Sequence, residues 1–120
     1  MNSIAFFNLL SLNSNINTDN GNDSIIADGG VEDFFGTGSV FLGNGNDYLY
    51  GFGSGNFNGG NGGDTMKLTS GSYTIGRSGT TVSFTKDSII MNTFEFEQLM
   101  AGSAIYPFKT LTAGQIITVA

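Results

Sequence analysis

Acidic side chains recur beside glycine at matching positions in this chain. In a nine-residue frame, residues 18–26 read TDNGNDSII, 27–35 ADGGVEDFF, 42–50 LGNGNDYLY and 59–67 GGNGGDTMK. The fourth place is glycine in each: Gly21, Gly30, Gly45 and Gly62. The sixth is acidic: Asp23, Glu32, Asp47 and Asp64. The eighth is large and apolar: Ile25, Phe34, Leu49 and Met66. Carboxylates on glycine turns suit a hard cation. Calcium takes six to eight oxygens in flexible geometry, from carboxylates and backbone carbonyls. Aiming several carbonyls at one point needs dihedrals that glycine permits. The candidate ligands are therefore Asp47 and Asp64, the turn glycines Gly43, Gly45, Gly60 and Gly62, and the further acids Asp23, Glu32 and Asp33.

The charge balance points the same way. Residues 1–66 carry seven acids and no basic side chain. All four basic residues come later: Lys67, Arg77, Lys86 and Lys109. An acidic segment without counter-charge repels itself when compacted, and cations relieve that repulsion. The same balance disfavours nucleic acid, which takes a basic patch. With no His, no Cys and no G-x-S-x-G motif, the chain offers little for nucleophilic catalysis, and a non-enzymatic role is expected. No stretch is long and apolar enough to span a membrane. The mildly apolar start, MNSIAFFNLLSLNSN, lacks a basic n-region and a small-residue cleavage pattern, so it does not read as a signal peptide.

Three stretches must position these groups. Residues 1–17 are apolar and Asn/Ser-rich, which suits a cap or an assembly strand. Residues 18–67 hold the repeats, and 14 of the 19 glycines lie between Gly21 and Gly63. Residues 68–120 alternate Thr, Val, Ile, Phe and Tyr at period two, which predicts strands. Asn92 with Glu95 resembles a helix capping box, but the alternation of Phe94, Glu95, Phe96 and Glu97 favours a strand there. Two weaker units interrupt the repeats. Residues 36–41 are short, and 51–58 put Asn56 where an acid would stand.

The nine-residue pattern resembles the repeats-in-toxin (RTX) nonapeptide, G-G-x-G-x-D-x-U-x, with U large and apolar. Residues 59–67 match at every defined position, and 42–50 miss only the first glycine. The resemblance covers about the middle 50 residues. It implies an all-β parallel β-roll, a β-solenoid of short coils, with residues 68–120 as a C-terminal β-rich cap. In that family each coil uses two nonapeptides, and calcium sits between turns of successive coils on one edge. Members commonly leave the cell by type I secretion with an uncleaved C-terminal signal. On two units per coil, one edge collects Glu32 or Asp33, then Asp47, then Asp64, and the other collects Asp23, the 36–41 turn and Asn56. Glu32, Asp33 and Asp28 read equally as ordinary turn acids, and Asp19 as a solvated or cap residue.

The function expected is a secreted, non-enzymatic calcium-binding protein that folds when calcium binds. The first alternative is a calcium-dependent matrix, surface-layer or fibre subunit, a homo-oligomer built end to end. A glycan- or ice-binding module is the second. Tyr48, Tyr50, Phe52 and Phe57 could form a sugar platform, though Phe57 reads better as core. Asn44, Asn46, Asn58 and Asn61 could form an ordered array, though Asn also suits turns.

Overall fold

A computed structural model describes residues 4–7, 10–11, 15–27, 33–35 and 39–120, with side chains for 17–26 and 39–120. Among these residues the fold is all-β, in three sheets. The first sheet runs β1 (Ile4–Phe7), β4 (Ser24–Ala27), β7 (Tyr48–Tyr50), β10 (Thr65–Lys67), β14 (Gln98–Ala101) and β15 (Ala104–Pro107). The second runs β3 (Asn15–Asn17), β6 (Ser39–Phe41), β9 (Gly55–Asn58), β13 (Ile89–Phe94), β12 (Thr81–Lys86), β11 (Gly71–Ser78) and β16 (Ile116–Val119). The third is short: β2 (Leu10–Ser11), β5 (Asp33–Phe35) and β8 (Phe52–Gly53). No helix among the described residues is long and apolar enough to cross a membrane.

The chain visits the three sheets in rotation up to β10, and every pairing among these strands is parallel. One round therefore holds three strands, where the repeat pattern led us to expect two. Beyond β10 the sheets become mixed. β13 and β14 still add in parallel to β9 and β10. β15, β12, β11 and β16 pair antiparallel. The β12–β13 hairpin turns through Asp87 (φ 52°) and Ser88 (φ 66°), two successive positive φ values as a two-residue hairpin requires. Residues 92–102 are strand, turn and strand, so the helical alternative falls.

Short strands are stable here because they stack. Ile25, Leu49, Met66 and Leu99 stand in register on four neighbouring strands, and all are fully buried. Burying each such side chain is worth about 1.5–3 kcal/mol. Val40 and Phe57 make a second inward row, which Thr93 continues. The Thr93 hydroxyl meets its buried need by donating to the Val82 carbonyl at 2.6 Å. One core cluster runs on through Tyr73, Phe84, Phe108 and Ile117, so the late strands extend the same interior. Phe34 lies on β5, but its side chain is outside the described set.

Neighbouring rounds approach closely at the turns. A Cβ on Gly45 would lie 2.1 Å from the Gly21 carbonyl oxygen, and one on Gly62 would lie 2.0 Å from that of Gly45. No side chain fits there. Gly79 also has positive φ, yet a Cβ on it would meet nothing within 4 Å. Gly79→Ala should cost about 1 kcal/mol, the left-handed penalty alone. Gly62→Ala should cost about 3 kcal/mol or more, because backbone must move as well. Urea unfolding of the two variants checks this, and equal losses would refute a steric limit between rounds.

Candidate metal centre

Three five-residue turns carry the acids: 19–23 (DNGND), 43–47 (GNGND) and 60–64 (GNGGD). Their backbones repeat. The first residues, Asp19, Gly43 and Gly60, have φ of 63°, 78° and 79°. The third residues, Gly21, Gly45 and Gly62, have φ of 114°, 117° and 112°. The turns then stack. Gly21 N–H donates to the Asn44 carbonyl and Gly45 N–H to the Asn61 carbonyl, each at 3.0 Å. The asparagines form a side-chain ladder. Asn44 Nδ2 donates to Asn20 Oδ1 at 2.8 Å, and Asn61 Nδ2 donates to Asn44 Oδ1 at 3.0 Å.

The fifth residues form a column of carboxylates. Asp23 N–H donates to Asp47 Oδ1 at 2.8 Å, and Asp47 N–H donates to Asp64 Oδ1 at 2.9 Å. Asp64 N–H donates to Glu97 Oε1 at 2.6 Å. Each carboxylate thus closes a backbone donor on the preceding round. Asp23, Asp47 and Asp64 are at most 2% exposed. The Oδ2 atoms of Asp47 and Asp64 are buried and accept no hydrogen bond. A buried carboxylate oxygen without a partner is costly.

The electrostatics follow. Burial raises the Asp47 carboxyl above its ordinary range, and the charge of Asp23 adds to the shift. Burial also pushes Asp64 up to about 8, with the charges of Asp47 and Glu97 contributing. No basic side chain is among the groups that act on either acid.

Asp47 and Asp64 therefore meet as the repeat spacing predicts, 17 residues apart. Gly43, Gly45, Gly60 and Gly62 form the turns beside them. Asp23 is a correction. It was expected on the opposite edge but stands in the same column, 24 residues before Asp47. The physical reason is that a round closes after three strands whatever its length, 24 residues from Asp23 to Asp47 and 17 from Asp47 to Asp64. The first framed unit, rather than the second, therefore shares the edge with the third. Asp33 is also corrected. Its backbone pairs with Phe52 in the third sheet, away from the column. Glu32 and Asp28 lie outside the described residues. Asn56 is on β9 in the second sheet. Phe52 and Phe57 are fully buried, which removes them from any sugar platform.

Glu97 is the member that the repeats do not reveal. It follows Asp64 by 33 residues and has no glycine frame around it. Its only local signal is the pair of acids in Glu95-Phe96-Glu97.

In kind, the column's oxygens fit a hard cation. In number, the described side chains form no group of three or more His, Cys, Asp or Glu around one point. Several turn carbonyls, such as those of Gly43 and Asn44, already accept hydrogen bonds from neighbouring turns. An ion here would share two carboxylates and complete its shell with carbonyls and water. Comparison of the chain with protein-family models, curated proteins and solved structures finds no match.

A pH dependence follows for the metal-free protein. The unfolded Asp64 titrates near 4, against about 8 when folded. Between these values the folded state holds more protons, so stability falls as pH rises through that window. Melting in chelator should occur at a higher temperature at pH 5 than at pH 8.5. Asp64→Asn, which keeps the Oδ1 acceptor, should flatten the slope. Calorimetry that found the wild type steadier at pH 8.5 would refute the buried, uncompensated carboxylate.

Proposed function

We propose that this chain is a calcium-stabilised module of a secreted, non-enzymatic protein of the RTX type, wound as a parallel β-roll from β1 to β10 and capped by the later strands. One observation carries the proposal: buried Asp47 and Asp64 lie against each other on successive turns, each with an oxygen that no hydrogen-bond donor reaches. Calcium between successive turns satisfies those oxygens and cancels the repulsion along the column. Asp23 and Glu97 extend the same column at its two ends. In a calcium-poor cytosol the acidic half stays loosely folded and exportable. Outside the cell, calcium closes it. The repeat resemblance supports type I export with a signal in residues 68–120. The role is structural: the ion holds turns together.

Extracellular calcium modules bind in the range of about 10⁻⁴–10⁻³ M. At about 10 mM calcium such a site adds about 1–3 kcal/mol of stability by mass action. Calcium should therefore raise the melting temperature, and magnesium, which demands tight octahedral geometry, should do so less. Asp47→Asn with Asp64→Asn should abolish the calcium increment, while Asp33→Asn should leave it intact. Calorimetry with calcium, magnesium and chelator checks this. An unchanged calcium increment in the double variant would sink the assignment.

End-to-end assembly has one observation in its favour. Among the described strands, β1 and β3 are terminal in their sheets and present parallel edges at the same end. If copies join there, particle mass rises with calcium and concentration in light scattering. A monomer at all concentrations rejects it.

A further inference from the structure

The second sheet presents an outer face that the acidic column does not involve. Alternation on β6, β9 and β13 turns Val40, Phe57 and Thr93 inward. Their neighbours face out. Register then places Phe41, Asn58 and Phe94 side by side, and Ser39, Asn56 and Asn92 in the adjacent row. A shallow cavity of about 390 Å³ lies there, lined by Ser39, Val40, Phe41, Asn56, Asn58 and Phe94. No charged side chain lines it.

We infer that this face binds a neutral glycan, with sugar rings lodged between Phe41 and Phe94 over the Asn56 and Asn58 amides. Strands spaced about 4.8 Å apart set the two phenylalanines about 10 Å apart across β9. Aromatic walls with a few amides between them are how small-molecule sites combine apolar contact with orientation. A pyranose offers the matching surface: apolar C–H faces and hydroxyls that both donate and accept. Each Asn amide supplies two donors and an acceptor. Asn58 Oδ1 accepts from Gly60 N–H at 2.8 Å, which fixes that amide and leaves its NH₂ as the donor. Phe41 is 47% exposed, and Asn56 is exposed as well.

Charge selects among glycans. The chain carries a net charge of −6, and no cation lines the cavity, so an acidic polysaccharide is repelled. A second copy of the chain is a poorer occupant. A stable interface needs about 800 Å² from each partner with an apolar centre, and this patch is two aromatic rings among amides.

The test uses the full chain in calcium, its fold checked by circular dichroism. Cellohexaose, maltohexaose and chitohexaose are titrated calorimetrically, with alginate as the polyanion. Saturable binding of at least one neutral hexasaccharide is expected, with alginate inert. Phe41→Ala and Phe94→Ala should each weaken it about tenfold or more, and Asn56→Ala about fivefold, while Ile105→Ala on the first sheet should change nothing. If Phe94→Ala loses its native dichroism, Phe41→Ala decides. No neutral binding at millimolar sugar, binding indifferent to Phe41→Ala, preference for alginate, or Phe41-dependent dimerisation in place of binding would each overturn the inference.

Discussion

The structure depends on one contact repeated along its length: a carboxylate, buried at Asp47 and Asp64 and exposed at Glu97, accepting the backbone N–H of the round before it. Asp47 does this for Asp23, Asp64 for Asp47, and Glu97 for Asp64. The contact requires the turns to lie almost backbone on backbone. Glycine at the third turn position is what allows that approach, since a Cβ on Gly45 or Gly62 would strike a carbonyl oxygen of the round before. The inward rows of Ile25, Leu49, Met66 and Leu99 depend on the same registration, because a slipped turn would misalign the strand that follows it. Polar column and apolar row thus hold each other in place.

Much of this was legible in the residues. The Gly-x-Asp frame located the turns, and the apolar eighth place located Ile25, Leu49 and Met66 in the core. The 17-residue separation of Asp47 and Asp64 named the pair that meets. The period-two runs at 72–76, 80–85, 88–91 and the end of the chain fall on strands, whereas the alternation of Phe94 to Glu97 breaks into a turn after Phe94, where Glu95 has φ 58°. Other features left no usable mark. Strands of two or three residues, such as β5 and β8, are too short for periodicity to show. The third sheet was therefore missed, and Asp23 and Asp33 were placed on the wrong sides. Glu97 was missed because its position comes from parallel pairing of β14 with β10, a long-range contact rather than a repeat.

The late strands explain how the winding ends. A parallel stack leaves edges that invite further pairing. Here β13 and β14 add one more parallel layer, and hairpins then turn the chain antiparallel. Glu97 fits this change of regime. It lies where the next aspartate would stand, and its longer side chain reaches back to the Asp64 N–H without a glycine turn to bring it close.

The basic residues decide what must neutralise the column. Arg77 Nη1 donates to the carbonyls of Phe108 and Leu111, both at 2.9 Å. Lys86 Nζ lies 5.1 Å from the ring centres of Phe52 and Tyr73 and donates to the Ser70 carbonyl. Lys67 Nζ stands over the Tyr50 ring at 5.3 Å. These three cations are held by rings and carbonyls, and none acts on Asp47 or Asp64. The fold thus stacks buried negative charge while using its nearby positive charge elsewhere. Relief must come from solution: a proton supplies it for Asp64 below about pH 8, and a divalent ion is the proposed alternative. On the proposed reading an ion has the advantage where carboxylates face in pairs, since one divalent charge would serve two of them without disturbing the Oδ1 hydrogen bonds that keep the turns in register.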